Sequence, residues 1–263
     1  MIISCIDIET TGLDKSIDRI VQLSIQNFNP ETGKLLESRN WYIRPNLKTG
    51  EWAMDVEAQK VHGISEIFLR DNGVSLKDIY EDWKEMTKDH CILTYNGTKF
   101  DIPMIQKDFE REGLDTGFQH CMFIDALDIE RRLGKHESNK LGVVYERYFG
   151  QEFENAHDSS ADILATIKVY MKQLELARNN QDVEYKLRAS INQVTGQTSI
   201  SPEGFVCRDE FQHLIFRFGK YKGRMVTEIC KEDPGYIRWL WGSGAICNIT
   251  KNTIAKEYRK INN

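Results

Sequence analysis

The sequence predicts an α/β fold, in which a mixed β-sheet is flanked by helices and a small domain is appended at the C-terminus. Three β-rich apolar segments open the chain, and an alternation of strand and helix patterns follows them. The charge then reverses: residues 196–263 carry 11 Lys and Arg against 7 Asp and Glu, whereas residues 1–195 carry 24 against 33. This asymmetry indicates two modules with different electrostatic roles.

The composition is typical of a soluble globular protein. Hydrophobic residues make up 40% of the chain and charged residues 29%, and the mean hydropathy is −0.50. No window approaches the roughly 18 consecutive apolar residues of a membrane helix, and the chain reaches Asp7 without the basic segment of a signal peptide. Six dispersed cysteines without a C-x-x-C pair favour reduced thiols over a disulfide framework or a zinc site. We therefore expect a cytoplasmic protein, or one of the host cytoplasm if the source is viral, with no membrane partner.

The opening segments predict three antiparallel strands. Their ranges are Ile2–Ile8, Ile17–Phe28 and Leu35–Ile43. The segment Glu9-Thr10-Thr11-Gly12 forms a turn after the first strand, and a hairpin-type turn at residues 29–34 joins the second strand to the third.

Strand and helix patterns alternate after the third strand. A helix starts at Ser75, with Ile79, Trp83 and Met86 on one face. The elements after it are strand Cys91–Tyr95, a helix from about Phe100 to Glu112, strand Met122–Ile124, and helices at Asp125–Leu133, Leu141–Phe149 and Ser159 to about Ala177. This alternation places helices against the faces of the sheet.

A polar stretch separates the two predicted domains. Residues 179–204 are polar and include a short helical pattern near Val183–Ile191. The elements after this stretch are His213–Phe218, Met225–Cys230 and a helix over Pro234–Trp241. We therefore predict a first domain at residues 1–178, a linker at 179–208 and a small domain at 209–263, which is close to the lower size limit for independent folding.

Several acidic residues stand where core patterning would not place them. Asp7 and Glu9 are two residues apart at the end of the first strand, so their side chains point to the same face. Asp101 lies where a strand turns into a helix, and Asp162 lies in the first turn of a long helix, five residues after His157. Taken singly, each acid is typical of surface charge or of a helix cap. Together they predict a shared cation site, because carboxylates on one sheet face repel unless a cation lies between them.

The residue types indicate hydrolysis at phosphorus. Carboxylate oxygens select hard cations such as Mg²⁺ or Mn²⁺, and two such ions about 3.5–4 Å apart are the usual device for in-line displacement at phosphorus. One ion activates the attacking water, and the other neutralises the leaving oxygen. His157 suits a general base because an imidazole titrates at about pH 6.5. The sequence around His157 and Asp162 has no thiol and no second histidine, so it does not match a zinc-hydrolase pattern.

Three segments carry a resemblance to a known family. They are Asp7-Ile8-Glu9-Thr10-Thr11-Gly12-Leu13, Asn96-Gly97-Thr98-Lys99-Phe100-Asp101 and His157-Asp158-Ser159-Ser160-Ala161-Asp162. In this order, and with the H-x4-D spacing of the last, they resemble the exonuclease motifs of the DEDDh 3′–5′ exonucleases. That family includes the proofreading epsilon subunit of bacterial DNA polymerase III, ribonuclease T and exonuclease X. The resemblance covers roughly residues 1–175 and implies a ribonuclease-H-like fold.

The resemblance implies roles for the acidic residues and for the histidine. Asp7, Glu9 and Asp162 would hold the catalytic ion, and Asp7 would also touch the second ion. Asp101 would complete the site, partly through water. His157 would deprotonate the attacking water.

The resemblance also implies a pocket for the 3′-terminal nucleotide. Asn96 and Phe100 match the second motif, and Phe100 suits core packing as well as base contact. The segment Val61-His62-Gly63-Ile64 resembles one that follows the third strand in these enzymes, and His62 suits either a substrate contact or a surface or capping role. The residues that would line the pocket are Thr10, Thr11 and Gly12, with Leu13 wedged against a base.

The C-terminal segment places cations at alternate positions. Lys220, Lys222 and Arg224 lie at a glycine-rich turn with aromatic residues nearby, which suits a surface that tracks phosphates and stacks bases. A basic glycine turn is also a common solvated loop, and the helical spacing of Tyr236 and Trp239 favours core packing. Residues 218–224 and 233–240 resemble the small C-terminal module of exonuclease-X-like proteins, which implies DNA rather than RNA.

These features predict a metal-dependent 3′–5′ exodeoxyribonuclease that releases nucleoside monophosphates with two Mg²⁺ or Mn²⁺ ions. The expected partner is single-stranded DNA or a DNA 3′ end, with a DNA polymerase or another replication or repair protein as a further candidate. The alternatives are an exoribonuclease of the ribonuclease T or oligoribonuclease kind and a proofreading subunit docked on a polymerase. A binding module with a decayed site is disfavoured, because all five signature positions are occupied.

Overall fold

The structure is a computed structural model that describes residues 2–50, 52–88, 91–118, 121–153, 158–180, 183, 205–208, 213–217, 219–242, 246 and 248–261. The chain divides into two compact units, Ile2–Lys172 and Gln173–Asn263. The domain boundaries that we place at residues 178 and 209 from the sequence stay predictions.

The first unit is built on a five-stranded mixed sheet, which confirms the predicted fold class. Its strands are β1 Ile3–Thr10, β2 Ile20–Phe28, β3 Leu35–Tyr42, β4 Cys91–Thr94 and β5 Met122–Asp125. They lie in the order β3-β2-β1-β4-β5. β1 and β3 each pair antiparallel with β2, whereas β4 pairs parallel with both β1 and β5. The loops after β4 and β5 therefore arrive at the same sheet edge as the carboxyl end of β1, which is where ligands bind in parallel sheets.

The burial of each strand follows its place in the sheet. β4 and β5 are buried along their whole length, as expected of parallel strands that are covered on both faces. β3 lies at the edge and is largely exposed, and its charged side chains oppose association with another sheet edge.

Helices accompany the sheet along the first unit. They are α1 Val56–His62, α2 Glu66–Asn72, α3 Tyr80–Thr87, α4 Asp101–Arg111, α5 Ala126–Leu133, α6 Leu141–Phe149 and α7 Ser159–Asn179, with a 3₁₀ turn at Leu47–Thr49. Helices α3 to α7 coincide with predicted helices. Trp83 of α3 packs on Phe109 of α4 with ring centroids 5.1 Å apart, and its indole N–H donates to the Thr116 carbonyl at 3.1 Å. Aromatic packing therefore joins α3 to α4.

The prediction is wrong in two places in this unit. Helices α1 and α2 are absent from it, because α1 buries no residue and α2 buries only Leu69, so neither has an apolar period to detect. Caps fix the ends of α1 instead: the Asp55 side chain accepts two backbone N–H groups, and Gly63 closes the helix in the left-handed conformation with φ 74°. Helix α3 begins at Tyr80 rather than Ser75, since the Ser75 hydroxyl and N–H donate to Asp78 at 2.8 and 3.0 Å and close a turn.

The second unit contains a short hairpin and three described helices. Strand β6 Val206–Arg208 pairs antiparallel with β7 Leu214–Phe216, although it lies within the predicted linker. The helices are α8 Val226–Glu232, α9 Pro234–Gly242 and α10 Asn248–Ile261, of which α10 is absent from the prediction. The helix predicted near Val183–Ile191 lies outside the described residues, apart from residue 183. Across the described ranges of both units, no helix is long and apolar enough to cross a membrane.

Candidate active site

Strand β1 carries Asp7 and Glu9 on one face near its carboxyl end. Both side chains are partly exposed, whereas Ile8 between them is buried, which is the alternation of a strand. Asp7 lies opposite Ser24 of β2, and Glu9 lies opposite Gln22. The register shifts immediately after Glu9, as at a bulge, and such irregularities redirect the chain beside functional sites.

Helix α7 begins beside these two strands. Ser24, opposite Asp7, shares a hydrogen bond with Ser159 in the first turn of α7, with the oxygen atoms 2.5 Å apart. Ser159 is completely buried. Asp162 lies one turn further along the helix, and its charge acts on both Asp7 and Glu9. The hydrogen bond between the serines therefore places Asp162 near the β1 carboxylates.

Asp158 fixes the start of α7. Its carboxylate accepts the backbone N–H groups of Ser160 and Ala161 at 2.9 and 3.2 Å, and its carbonyl accepts the N–H of Asp162 at 2.9 Å. This is an N-cap, and it sets the direction of the helix turn that carries Asp162. We assign Asp158 no role from the sequence, although an aspartate directly before a helical pattern is the signal of such a cap.

Asp101 reaches the same site from the first turn of α4. Its Oδ1 accepts the backbone N–H of Ile8 at 3.3 Å, so its carboxylate touches β1 between Asp7 and Glu9. The side chain is only 7% exposed. Because β4 runs parallel to β1, the loop that leads from β4 to Asp101 returns to the carboxyl end of β1.

The loop before Asp101 is held by Asp125, a buried residue at the end of β5. Asp125 Oδ1 accepts the N–H of Asn96 at 2.8 Å, and Oδ2 accepts the hydroxyl and N–H of Thr98 at 2.6 and 3.3 Å. Asn96 has a φ of 66°, a conformation that non-glycine residues rarely adopt without support. Asp125 also accepts the N–H of Leu127 at 3.1 Å and so caps α5. One buried carboxylate therefore sets the geometry of the loop.

Replacing Asp125 with alanine is expected to lower kcat about 10–100-fold, which is the usual cost of losing a group that orients a metal ligand. The loop loses its hydrogen-bond acceptors, and Asp101 leaves its position against β1. The measurement is kcat and KM at saturating Mg²⁺, below the melting temperature of the variant. Asp128→Ala is the matched control, because Asp128 lies in the first turn of the helix that Asp125 caps and forms an ion pair with Arg132 at 2.9 Å. Equal kcat values for the two variants would contradict the positioning role of Asp125.

The carboxylates crowd one another. Burial, followed by the negative charges of neighbouring carboxylates, raises the pKa of Asp7 well above its ordinary value. Those neighbours are Asp101, Glu9, Asp162 and Asp158. Burial and nearby carboxylates raise the pKa of Glu9 to about 8, and burial raises the pKa of Asp101 to about 7. No lysine or arginine among the described residues acts on the pKa of Asp7 or Glu9.

This donor set fits a hard divalent cation. As the side chains stand, no three His, Cys, Asp or Glu groups of the described residues are close enough to enclose one ion. The Asp7 and Glu9 carboxylates have neither a hydrogen bond nor an ion pair in the described part of the chain. Oxygen donors that repel one another and have no cationic partner are the type that Mg²⁺ and Mn²⁺ bind, and a cation would offset the repulsion.

The side chains of Thr10 and Thr11 are bound within the turn after β1. The Thr10 hydroxyl donates to the Gly12 carbonyl at 2.7 Å. The Thr11 side chain is completely buried, and its hydroxyl donates to Asp18 at 2.7 Å. Both hydroxyls already have partners within the turn, and the lining role that the sequence predicts for these residues stays a prediction.

The next two residues of the turn have opposite environments. A Cβ on Gly12 would lie 2.6 Å from the Asp18 carboxylate, so a larger residue would displace this side chain, which accepts the Thr11 hydroxyl. Leu13 is 81% exposed, which leaves its side chain available for the predicted contact with a base.

His62, at the end of α1, is bonded through both ring nitrogens. Nδ1 accepts the N–H of Ile64 at 3.0 Å, so Nε2 carries the proton and donates to the Thr10 carbonyl at 3.2 Å. Burial lowers the pKa of His62, against the effect of the bond to Thr10. Of the two roles that the sequence leaves open, this geometry favours the capping role.

The other predicted site residues of the first unit differ in their exposure to solvent. Asn96 is exposed, and Phe100 is half-buried directly before Asp101. His157, the predicted general base, lies outside the described residues. Its role stays a prediction.

Lys220 and Arg224, two of the predicted phosphate-binding cations, form ion pairs with acidic residues of the second unit. Lys220 Nζ lies 3.2 Å from Asp233. Arg224 contacts Glu228 at 3.1 Å and Glu232 at 2.9 Å. The Arg224–Glu228 spacing of four residues is a sequence signal that we did not use. Lys222 is exposed. Exposed pairs of this kind stabilise little, but they reduce the positive charge offered to a phosphate.

Aromatic residues form part of the surface of the second unit. Trp239 is 57% exposed and stacks on Tyr236, with ring centroids 5.6 Å apart and an interplanar angle of 28°. Tyr236 packs against the core of this unit. The predicted core role is therefore confirmed for Tyr236 and wrong for Trp239.

Comparison with known sequences identifies the family. The profile of the Exonuclease family matches residues 4–170, a range that contains all the acidic residues of the site. The chain belongs to the Exonuclease family. A second profile, described as Exodeoxyribonuclease X-like C-terminal, matches residues 216–242 of this Exonuclease family member and so lies in its second unit. Both resemblances stated from the sequence are confirmed.

The similar proteins are parts of DNA polymerase III. The chain is 30% identical over 161 residues to the DNA polymerase III subunit epsilon of Buchnera aphidicola subsp. Schizaphis graminum, covering 58% of this chain and 64% of that protein. It is 28% identical over 171 residues to the PolC-type DNA polymerase III of Ureaplasma parvum serovar 3, covering 63% of this chain and 11% of that protein. The chain therefore spans less than two thirds of either relative.

Solved structures share the fold of this Exonuclease family member. Escherichia coli exonuclease I in complex with a dT13 oligonucleotide has a TM-score of 0.57 at 22% identity, over 72% of this chain and 45% of that one. The zinc ion-bound form of the exonuclease I complex with single-stranded DNA has a TM-score of 0.60 at 23% identity, over 71% of this chain and 42% of that one. At this identity the likeness establishes the fold, which confirms the expected ribonuclease-H-like sheet.

Proposed function

We propose that the protein is a 3′–5′ exodeoxyribonuclease that releases nucleoside 5′-monophosphates from DNA ends. The observation that carries the proposal is the gathering of carboxylates from three separate segments at the end of β1, in a member of the Exonuclease family. Their charges act on one another, and Asp7 and Glu9 have no cationic partner in the described part of the chain, which supports a site built for divalent ions. We propose Mg²⁺ or Mn²⁺ as those ions.

The residues have distinct roles in this proposal. Bound ions would stabilise the charge that develops at phosphorus and lower the pKa of a water molecule. Asp7, Glu9 and Asp162 would hold them, and Asp101, placed by its bond to the Ile8 N–H, would complete the set.

Proton transfer falls to His157 in the proposed mechanism. Water oxygen attacks phosphorus while one of its protons passes to an imidazole nitrogen of His157. The bond between phosphorus and the 3′ oxygen of the preceding nucleotide breaks, and that oxygen takes a proton from solvent. The products are a nucleoside 5′-monophosphate and a strand that is one nucleotide shorter with a 3′ hydroxyl.

A DNA substrate is supported by the comparisons rather than by the geometry. The relatives named above are DNA polymerase III proteins, and the second unit matches a module described as Exodeoxyribonuclease X-like. An exoribonuclease is the alternative. Association with a DNA polymerase is a further proposal, supported by the epsilon relative, and co-elution of the two proteins would test it.

Gel analysis of 5′-labelled single-stranded DNA and RNA of equal sequence tests the proposal. With Mg²⁺, wild type should shorten the DNA from its 3′ end in steps of one nucleotide, and excess EDTA should stop the reaction. Faster digestion of RNA would favour the exoribonuclease. Activity that persists in EDTA, or a product ladder that shortens from the 5′ end of 3′-labelled DNA, would overturn the proposed mechanism.

Replacing Trp239 with alanine in the full chain is expected to weaken the binding of single-stranded DNA by at least about fivefold. Stacking of a base on an aromatic side chain contributes about 1–3 kcal/mol, and the exposed ring of Trp239 offers such a face. Fluorescence anisotropy with an oligothymidylate at about 0.15 M salt, where long-range charge effects are screened, measures the change. Tyr258→Ala, another exposed aromatic residue of the second unit, is the control. Equal affinities for the two variants would exclude a stacking role for Trp239.

A further inference from the structure

A cavity of about 880 Å³ opens beside the candidate active site within the first unit. Asn96 of the β4–α4 loop and Asp162 of α7 line it, so it adjoins the carboxylate site at Asp162. Its other walls come from α5, from the connection between α5 and α6 and from the first turn of α6. Its volume is typical of ligand sites and suits about one or two nucleotides.

One wall of the cavity carries unpaired positive groups. Arg131 of α5 and Lys140, directly before α6, are exposed and form no ion pair in the described part of the chain. Lys140 is also the N-cap residue of α6, and neither a side-chain cap nor an acidic residue occupies the first turn of that helix. The residues at this helix start, 140–143, line the cavity, and the backbone N–H groups of a helix start favour anions.

A neutral hydrogen-bond acceptor lies in the same wall. The carboxamide oxygen of Asn139 is buried and has no hydrogen-bond partner among the described residues. The Tyr95 hydroxyl donates to the backbone carbonyl of Asn139 at 2.6 Å and holds this residue in place. A buried acceptor without a partner is costly unless a ligand or water supplies a donor.

The cavity also carries negative charge. Glu137, Glu146 and Glu152 line the cavity and would repel a polyanion. An anionic occupant would therefore bind at the wall formed by Arg131 and the α6 start. Removing a positive charge from the cavity should weaken its binding, and removing a negative charge should strengthen it.

The position of the cavity indicates which part of a DNA strand it would hold. Thr10 to Leu13 and His62, which the sequence assigns to the 3′-terminal nucleotide, do not line it, whereas Asn96, which the sequence also assigns to the substrate, does. In an enzyme that removes the terminal nucleotide, every other part of the strand lies on the 5′ side of the scissile phosphate.

We propose that this cavity binds the sugar–phosphate backbone of the nucleotides directly 5′ of the scissile phosphate, through Arg131, Lys140 and the start of α6. The proposal rests on the proposed nuclease function, because it assumes a nucleic-acid strand at the carboxylate site. Asn139 would accept a hydrogen bond from a donor on the same nucleotides.

Charge variants of the full chain test this subsite. Arg131→Ala and Lys140→Ala should each raise the KM for a single-stranded oligothymidylate by up to about fivefold. A plot of log affinity against log salt concentration has a negative slope. Each variant should make this slope shallower by about 0.7, the value for one phosphate contact on a single strand. Glu146→Gln should lower KM, an effect that misfolding would not produce.

Lys34→Ala is the matched control. Lys34 is exposed and unpaired in the described structure, and it lies in the β2–β3 turn. The pairing of Ile3 with Phe28 places this turn at the far end of β1, about 20 Å from Glu9. If the cavity variants have the KM and salt slope of Lys34→Ala, the subsite is excluded.

A second substrate separates binding of the strand from a general loss of activity. Thymidine 5′-(p-nitrophenyl phosphate) has no nucleotide on the 5′ side of the cleaved bond. The ratio of kcat/KM for the oligothymidylate to kcat/KM for this ester should fall in Arg131→Ala and Lys140→Ala. A parallel loss on both substrates would overturn the proposal.

Binding measured in EDTA separates failure of the subsite from failure of the proposed function. Anisotropy of a labelled oligothymidylate needs no cleavage. If wild type binds the strand, the cavity variants bind it less well and no cleavage occurs with Mg²⁺, the subsite stands and the nuclease function fails. If wild type cleaves DNA and the cavity variants bind like wild type, the function stands and the subsite fails.

Discussion

Replacing Asp7 with asparagine is expected to reduce nuclease activity at least about a thousandfold, because charge stabilisation by a bound ion is worth several kcal/mol in the transition state. The same substitution should raise the melting temperature of the metal-free protein. Asp7 is the carboxylate on which the charges of Asp101, Glu9, Asp162 and Asp158 converge. Asparagine keeps its shape and removes one of the repelling charges. Activity and stability should therefore change in opposite directions.

The sign of the stability effect follows from the raised pKa values. A carboxyl whose pKa is higher in the folded than in the unfolded state stabilises the fold only while it holds its proton, and this contribution is lost as the pH rises through the folded pKa. Burial raises the pKa of Glu9 to about 8 and that of Asp101 to about 7. Metal-free wild type should therefore lose stability between about pH 4.5 and pH 8, and Asp7→Asn should lose less. Added Mg²⁺ should stabilise wild type by mass action.

Thermal melting in EDTA and in Mg²⁺ measures these changes, together with gel assays of 5′-labelled DNA. The difference between variant and wild type in EDTA should be about 3 °C or more near pH 8. Asp71→Asn is the control, since Asp71 is an exposed aspartate that pairs with Arg70 at 3.0 Å. A variant that keeps a tenth of wild-type activity would remove Asp7 from the metal site. A lower melting temperature in EDTA would contradict the electrostatic crowding.

Local patterns were sufficient to predict that Asp7 and Glu9 lie on one face of a strand. Asp7 and Glu9 share a face because the side-chain period of a strand is two, and this period is readable in the sequence. Asp125 is different. In the sequence it is the first residue of a predicted helix, whereas its contacts are with a loop about 30 residues earlier, a tertiary relation that no local period encodes.

Other features that the sequence did not predict also depend on the contacts of individual side chains. Thr11 has the small polar side chain of a pocket residue, but its hydroxyl is bonded within the turn to Asp18. Helix α1 buries no residue, so only its caps mark it. The pairing of Lys220 with Asp233 depends on how the second unit folds, over a separation of 13 residues. Features fixed by period or spacing could be predicted, whereas features fixed by the contacts of one side chain could not.

Replacing His157 with alanine is expected to reduce kcat about 10²–10⁴-fold, the usual loss when a general base is removed. His157 would accept a proton from the attacking water, and an imidazole does so only when neutral, above about pH 6.5. The wild-type rate should therefore rise with pH and become constant above this value. Without the histidine, attack depends on hydroxide, so the rate of the variant should continue to rise with pH beyond 8.

The pH–rate profiles of the two proteins in saturating Mg²⁺ distinguish a base from a structural residue. A structural role would lower the rate equally at every pH, and removal of the base changes the shape of the profile. Metal-dependent stabilisation in a thermal melt should be retained in His157→Ala, because Asp7, Glu9 and Asp162 still offer their carboxylates to the ions. A rate near that of wild type, or a profile of unchanged shape, would transfer the proton-accepting role to another group. The Asp7 variant should show the converse, loss of metal-dependent stabilisation together with loss of rate, so the two substitutions separate proton transfer from metal binding at one site.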